Sequence, residues 1–349
     1  MQTLREHQSQ QGGQFDADCP VPLCYGNKAI ALEAARTGVA LCDRSHQGIL
    51  QVSGADRLKF VHNQTTNKIQ GLGPGQCVET IFVNSVGRTL DLVSAWTLPD
   101  SIWLLVSGER QAFLFQWMDK YIFPFDQVEL TDLSKQFVRF VLLGSRTAEL
   151  LNKLGITLAE PDQHIETEIA AVPVRLSAST DLGLPGATLI VPVGEAATAV
   201  WMRLQQLGTV PLGEQEWEQL RIQQGRPRPD RELTEDYNPL EAGLWRAVSF
   251  DKGCYIGQET IARVNTYRGV KTRLWGVQLN QPVELGTPVL VNGKKSGRVT
   301  SSLSDPALAL AYVRTRAANV GDIVQIGDVE GELIATPYVQ HEYYQPKQP

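Results

Sequence analysis

Cysteine is scarce in this sequence, with five in 349 residues, at positions 19, 24, 42, 77 and 254. The number is odd and the spacing scattered. Neither a paired disulfide framework nor a metal-ligand motif emerges, and Cys19/Cys24 alone is too thin a signal for one. Reduced thiols in the cytoplasm are the simplest expectation. Histidine is equally sparse; His46, His62 and His164 show no ligand spacing, so no metal site is expected. No apolar run approaches the ~20 residues of a membrane span, which argues against a membrane partner. A basic surplus is also missing: 32 Lys and Arg against 38 Asp and Glu give a formal charge of −6. That excludes strong general nucleic-acid binding, although Arg221, Arg226, Arg228 and Arg231 leave room for a local cationic groove. Residues 1–18 are polar and Gln-rich, with no apolar h-region and little Arg. They read as neither secretory signal nor transit peptide, and residues 1–20 are expected as a loose tail.

What is present is a soluble globular composition, 42% hydrophobic and 20% charged, at a length that suggests two or three domains. Ala29–Arg36 reads as a short helix stopped by Gly38. A strand at Gly48–Val52 turns through Ser53-Gly54-Ala55-Asp56 into a helix with Leu58, Phe60 and Val61 inward. Strands at Cys77–Val83, Arg88–Trp96 and Ile102–Val106 follow, the first two joined by Asn84-Ser85-Val86-Gly87. Leu114, Trp117, Met118, Tyr121 and Ile122 then mark an amphipathic helix. The layout recurs from Phe137: a strand, the corner Leu143-Gly144-Ser145, a helix, strands at Ala171–Leu176 and Ala187–Val193, and a helix closed by Gly208. Glu214–Gln224 is a further helix, and the chain from there to about Arg268 reads as loop-rich. Six short strand patterns after Thr272, with the hairpin signal Asn292-Gly293, predict a small antiparallel barrel. The predicted fold class is α+β: two related helix-backed antiparallel-sheet units plus a C-terminal β-barrel.

Chemistry concentrates in Asp251-Lys252-Gly253-Cys254-Tyr255-Ile256-Gly257-Gln258-Glu259. A cysteine near two glycines is open to approach, and a cation such as Lys252 or Arg263 favours the reactive thiolate if it lies close. The competing reading is a structural thiol in a tight loop. Cys254 and Lys252 are the candidate reactive pair, with Tyr255, Gln258 and Glu259 beside them. Asp91, on a strand after the Asn84-x-x-Gly87 turn, is a third candidate for chemistry.

Lys252-Gly-Cys-Tyr-Ile-Gly-Gln-Glu259 resembles the signature of the YgfZ family, folate-binding relatives of the glycine-cleavage T-protein. Asp43-Arg44-Ser45-His46, Val52-Ser53-Gly54-Ala55-Asp56, Thr65-Thr66-Asn67, Asn84-x-x-Gly87 and Pro239–Leu244 look like landmarks of the wider group. The resemblance implies a three-domain cloverleaf: a discontinuous first domain at 21–47 and 137–270, a second at 48–136, and the barrel at 271–345. It implies tetrahydrofolate or a related folate as cofactor, with Trp217, Gln47, Tyr255, Gln258, Glu259 and Arg226 as the contacts. For Trp217, a core position is the competing reading, and for Arg226 an ordinary surface charge. It further implies iron–sulfur proteins or cluster-assembly factors as partners, and a part in supporting iron–sulfur tRNA-modifying enzymes. Two departures separate the chain from aminomethyltransferases. Asp91-Leu92 keeps one carboxylate of an acidic pair, and Ser179–Gly186 stands where a pterin-binding acidic loop is found. A tetrahydrofolate-dependent aminomethyltransferase is the alternative function.

Overall fold

The computed structural model describes residues 3–17, 19–158 and 160–345. The chain divides into two compact units, one of residues 1–57, 72–78 and 94–220, the other of 58–71, 79–93 and 221–349. In chain order the first half holds α1 (Leu4–Gln10), β1 (Gln14–Asp16), β2 (Cys19–Cys24), α2 (Lys28–Thr37), β3 (Ala40–Asp43), β4 (Gly48–Ser53), α3 (Arg57–Gln64), β5 (Cys77–Val83), β6 (Thr89–Thr97), β7 (Ser101–Val106), α4 (Gln111–Asp119) and β8 (Glu129–Asp132). There follow β9 (Phe137–Leu143), α5 (Thr147–Asn152), β10 (His164–Ile169), β11 (Val172–Ser177), β12 (Gly186–Pro192), α6 (Glu195–Gln206), β13 (Val210–Leu212), α7 (Glu214–Gln224) and α8 (Gln258–Thr266). The last third is β14 (Thr272–Leu279), β15 (Pro288–Val291), β16 (Lys294–Ser304), β17 (Ala307–Arg314), β18 (Ile323–Ile326) and β19 (Val329–Ile334).

The repeat read from the sequence is present in the topology. Strands β4 to β7 lie in the order β5-β6-β7-β4, and β9 to β12 in the order β10-β11-β12-β9. In each set a helix follows the first strand and another follows the last. The second sheet adds β3 and β13, the latter parallel to β3. Its central strand shows why it is buried on both faces. In Phe137-Val-Arg-Phe-Val-Leu-Leu143, Phe140 and Leu142 join one core cluster with Trp201 and Leu204 of α6. Val141 and Leu143 join another with Ala31 and Ala35 of α2. Successive side chains of a strand point to opposite faces, so an apolar residue at every position buries both.

The six C-terminal strands close into an antiparallel barrel, in the order β14-β17-β16-β15-β18-β19. Period two sorts their side chains: Ala309, Ala311 and Val313 of β17 fill the barrel, while Leu308, Leu310 and Tyr312 pack into the adjoining core of the second unit. The mixed fold of helix-backed sheets plus barrel is thus the predicted class.

Two expectations are corrected. Residues 3–17 are not a loose tail, although Met1, Gln2 and Asp18 of it lie outside the described residues. Thr3 and Glu6 form a capping box at the start of α1, and buried Gln8 donates to Asp43 at 2.8 Å. The loop-rich reading of 226–268 missed α8. Its only fully buried side chain is Ile261, too weak an apolar stripe to register in the sequence.

Candidate functional site

Within the second unit, the sequence motifs converge on the loop that carries Cys254. Gly257 ends that loop with φ +79° and caps α8. Left-handed backbone there favours glycine. A Cβ on Gly257 would lie 2.6 Å from the Asn84 carbonyl oxygen and 2.9 Å from Gly87 Cα. The Asn84–Gly87 turn and the Cys254 loop therefore meet backbone to backbone. The turn holds itself: Asn84 Oδ1 accepts from the Val86 and Arg88 amides at 3.1 and 3.0 Å. Thr66 supplies a second tie, its hydroxyl donating to the Ala247 carbonyl at 2.6 Å while its own carbonyl accepts from Ser249 N–H at 3.0 Å.

Lys252 is the pin. Its buried ammonium donates to the carbonyls of His62, Thr65 and Asn67 at 2.5, 2.6 and 2.7 Å. Three N–H bonds meet three acceptors, so the amine is saturated. It also lies 4.7 Å from the centroid of the Tyr255 ring, a cation–π contact. Burial pulls the Lys252 pKa down from 10.5 to about 7. The carbonyls act against that pull, because only the ammonium can satisfy all three. Ile256 N–H donates to the Asn63 carbonyl at 3.0 Å, tying the loop again to the end of α3. The role expected for Lys252 as a cation serving Cys254 is therefore corrected in one respect: its donors are committed to backbone.

Among the five cysteines, Cys254 is the exposed one; Cys42 and Cys77 are buried, Cys19 and Cys24 half-buried. Burial drives the Cys42 thiol well above its ordinary range, as suits a structural residue. Tyr255 is buried below the loop, while Gln258 is half-buried and Glu259 exposed on the first turn of α8. Asp91 is fully buried on β6, its Oδ1 accepting from Leu92 N–H at 2.9 Å. Arg226 is engaged with Glu79 at 3.3 Å and lies 4.8 Å from the Tyr338 ring centroid. Tyr338 also donates to Glu79, at 2.7 Å.

Trp217 and Gln47 belong to a different cluster, in the first unit. Trp217 is buried among Ala31, Leu182 and Leu220, the core alternative of the two readings. The Arg44 guanidinium lies 4.1 Å from its ring centroid and pairs with Glu214. Gln47 N–H donates to the Arg44 carbonyl at 2.9 Å. Arg44 N–H in turn donates to the Arg139 carbonyl at 2.8 Å, and the Arg139 guanidinium binds Asp181 at 2.6 Å. The Nε atoms of Arg44 and Arg139 are buried and have no hydrogen-bond partner among the described residues. Buried donors of this kind are costly unless an acceptor reaches them.

A model of the GCVT N-terminal domain matches residues 19–252. The chain belongs to that family. It is 38% identical over 340 residues to a protein of Arabidopsis thaliana provisionally named a chloroplastic transferase, covering 95% of this chain and 78% of the relative. It is 29% identical to an aminomethyltransferase of Synechococcus elongatus, over 90% of this chain and 87% of that one. The structure superposes on the glycine-cleavage aminomethyltransferase T of Bartonella henselae with TM-score 0.85, covering 98% of both chains at 22% identity. That last likeness concerns the fold.

Sequence reasoning left His62 unassigned. It exposes 5% of its surface at the end of α3, beneath the Cys254 loop. Its Nδ1 accepts from the Ile69 and Gln70 amides at 3.2 and 3.1 Å. No periodicity or motif signals it, since its partners come from the loop after its own helix and from a segment 190 residues away.

Proposed function

We propose that this chain is a folate-binding member of its family that works as an accessory protein to iron–sulfur enzymes and their cluster-assembly factors in the cytoplasm, with Cys254 as its reactive group. The observation that carries this reading is an exposed thiol on a loop fastened at both sides. An accessible thiol on fixed backbone suits exchange with oxidants, disulfides or metals, because approach is open and the position defined. Support for iron–sulfur tRNA-modifying enzymes belongs to the same proposal. The YgfZ-like motif at 252–259 supports it, as does the absence of the acidic loop at Ser179–Gly186.

The first-unit cluster fits a reduced folate in one respect. Arg44 Nε and Arg139 Nε are buried donors with no acceptor among the described residues, and a pterin ring offers nitrogen and carbonyl acceptors. Stacking on Trp217 is not part of the proposal, because that ring is in the core with Arg44 on its face. Arg226 holds Glu79 in the second unit, so a contact with folate would require it to exchange partners.

Tetrahydrofolate-dependent aminomethyl transfer is the second reading, favoured by the aminomethyltransferase relatives and by buried Asp91. Three measurements separate these readings. Calorimetric titration with tetrahydrofolate should show saturable binding; none at millimolar ligand would end the folate assignment. Reconstitution with the other glycine-cleavage components should give no turnover, and turnover matching an authentic aminomethyltransferase would favour the second reading. Cys254→Ala should fail to restore iron–sulfur enzyme activity in cells lacking the native gene, and full restoration would remove the thiol from the function.

A further inference from the structure

After β19 the chain runs as a strap along the second unit, and the two halves of the strap are fastened differently. The near half is built into the core. Tyr338 and Gln340 N–H donate to the carbonyls of Gln224 and Gly243 at 2.9 and 2.8 Å, and Val339 between them is buried. A Cβ on Gly243 would lie 2.6 Å from that of Val339. Beyond exposed Glu342 the strap makes no backbone-to-backbone hydrogen bond among the described residues.

Side chains receive the far half instead. Asn265, near the end of α8, holds the main chain of Tyr344 at two points: its Oδ1 accepts the N–H at 3.0 Å and its Nδ2 donates to the C=O at 3.3 Å. Those bonds recognise a main chain, whatever side chain it carries. The rings supply the selectivity. Tyr344 stacks on Phe250, centroids 4.9 Å apart and planes 15° from parallel. Its hydroxyl donates to the Asp251 carboxylate, whose oxygens lie 2.9 and 2.7 Å away. Tyr343 meets Trp245 edge to face at 5.2 Å, and its hydroxyl oxygen accepts the Val270 N–H at 3.1 Å. Main-chain bonds with neighbouring side-chain pockets are the means by which proteins hold peptides, and here the peptide is the chain's own.

We propose that residues 342–345 form a latch: an intramolecular peptide ligand that leaves its seat while 338–341 stay in place, and whose seating sets how firmly the stem of the Cys254 loop is held. This rests on the reading of that loop as the functional one. Phe250 and Asp251, which receive Tyr344, directly precede Lys252, so the seated tail and the lysine cage hold successive residues of one stem. The far half is separable because water can replace its polar partners: both tyrosines are half-buried and Asp251 is exposed. Buried Val339 has no such exchange, so the hinge falls at Glu342. Coupling between two equilibria is reciprocal. A partner that grips the loosened loop unseats the tail, and one that grips the seated form tightens it.

The test is hydrogen exchange at the Ser249 amide, whose bond runs to the Thr66 carbonyl and not to the tail. Tyr343→Ser combined with Tyr344→Ser in the full-length chain empties the seat. We expect Ser249 to exchange about tenfold faster, as on losing a few ordinary hydrogen bonds, while amides of β14 and β17 keep their protection. A short tether gives an effective concentration of about a millimolar, so a tail held closed in cis should bind in trans at several millimolar. The capped peptide Glu-Tyr-Tyr-Gln, the sequence of 342–345, should therefore restore slow exchange in the double variant, and capped Glu-Ser-Ser-Gln should not. Asn265→Ala keeps both rings and removes the main-chain clamp; it should speed Ser249 too, and it carries the test if the double variant does not fold. Unchanged Ser249 exchange in these variants overturns the proposal. So does a rise that the tyrosine peptide fails to reverse, since the tail would then be fixed packing and not a ligand. The readout involves no thiol, so either failure is distinct from restoration of cells by Cys254→Ala, which would overturn the functional reading.

Discussion

Replacing Lys252 by methionine keeps most of the side chain's volume and removes three donors at once. The carbonyls of His62 and Thr65 are buried, so each loses its partner outright; that of Asn67 is partly open and water can replace the ammonium there. A buried acceptor left unsatisfied costs about 1–3 kcal/mol. Two such losses give roughly 4 kcal/mol. Against this stands the recovered cost of burying an ammonium, which the depressed pKa of about 7 shows to be real. We expect a net loss of about 2–3 kcal/mol, large for one substitution but short of unfolding a stable domain. The loss should be local first. Ser249 and Ile256 amides, which bond to Thr66 and Asn63, should exchange hydrogen faster, while amides of the barrel keep their protection. Lys252→Arg should not rescue, because a planar fork cannot point three donors at converging carbonyls. Urea denaturation gives the global number and hydrogen exchange the local one. A stability change below about 0.5 kcal/mol with unaltered exchange at 249 and 256 would mean that the cage holds nothing, and the reasoning would fail.

Two further outcomes follow from the same geometry. Gly257→Ala should cost about 2 kcal/mol or more, since it adds left-handed strain to a backbone clash at 2.6 Å; Gly253→Ala, with no such clash, should cost under 1 kcal/mol by thermal melting. His62, His164 and His341 are each lowered by burial from 6.5 to about 4, so the unfolded chain binds more protons across that window. Stability should therefore be fully present above pH ~6.5 and fall as pH drops toward 4; His164→Gln should remove up to about 3 kcal/mol of that dependence, and a flat profile from pH 7 to 4 would contradict it.

Much of the fold was legible because its signals are local. Asn292 and Gly293 have φ of 49° and 73°, the two positive angles of a tight hairpin turn, and they join β15 to β16 as their residue types predict. The repeated strand-to-helix corners at Gly54 and Gly144 marked both sheets before any topology was known. The misses were of two kinds. The amino-terminal helix was hidden by composition: Gln8 is buried because it bonds Asp43, which no hydrophobic pattern records. Yet the Thr3–Glu6 capping box was there to be read. The site was hidden by distance along the chain. Cys254 stood out as a residue type in a motif, but its surroundings are made by segments 185 to 190 residues earlier.

That distance changes how the motif itself is understood. Read alone, Lys252-Gly-Cys is a cation two residues from a thiol, and proximity suggests that one activates the other. In the folded chain the lysine is turned to three backbone carbonyls, those of His62, Thr65 and Asn67. The lysine's contribution is then geometric: it fixes the loop against the end of α3, where His62 sits. Gly253 and Gly257, equivalent in sequence, also separate. A Cβ on Gly253 would meet His62 Nε2 at an ordinary 3.9 Å, whereas Gly257 lets two backbones meet at Asn84 and Gly87. Each residue of the motif thus acts through what it touches across the fold, and the two alanines distinguish them: Gly253→Ala should leave the loop seated, and Gly257→Ala should unseat it.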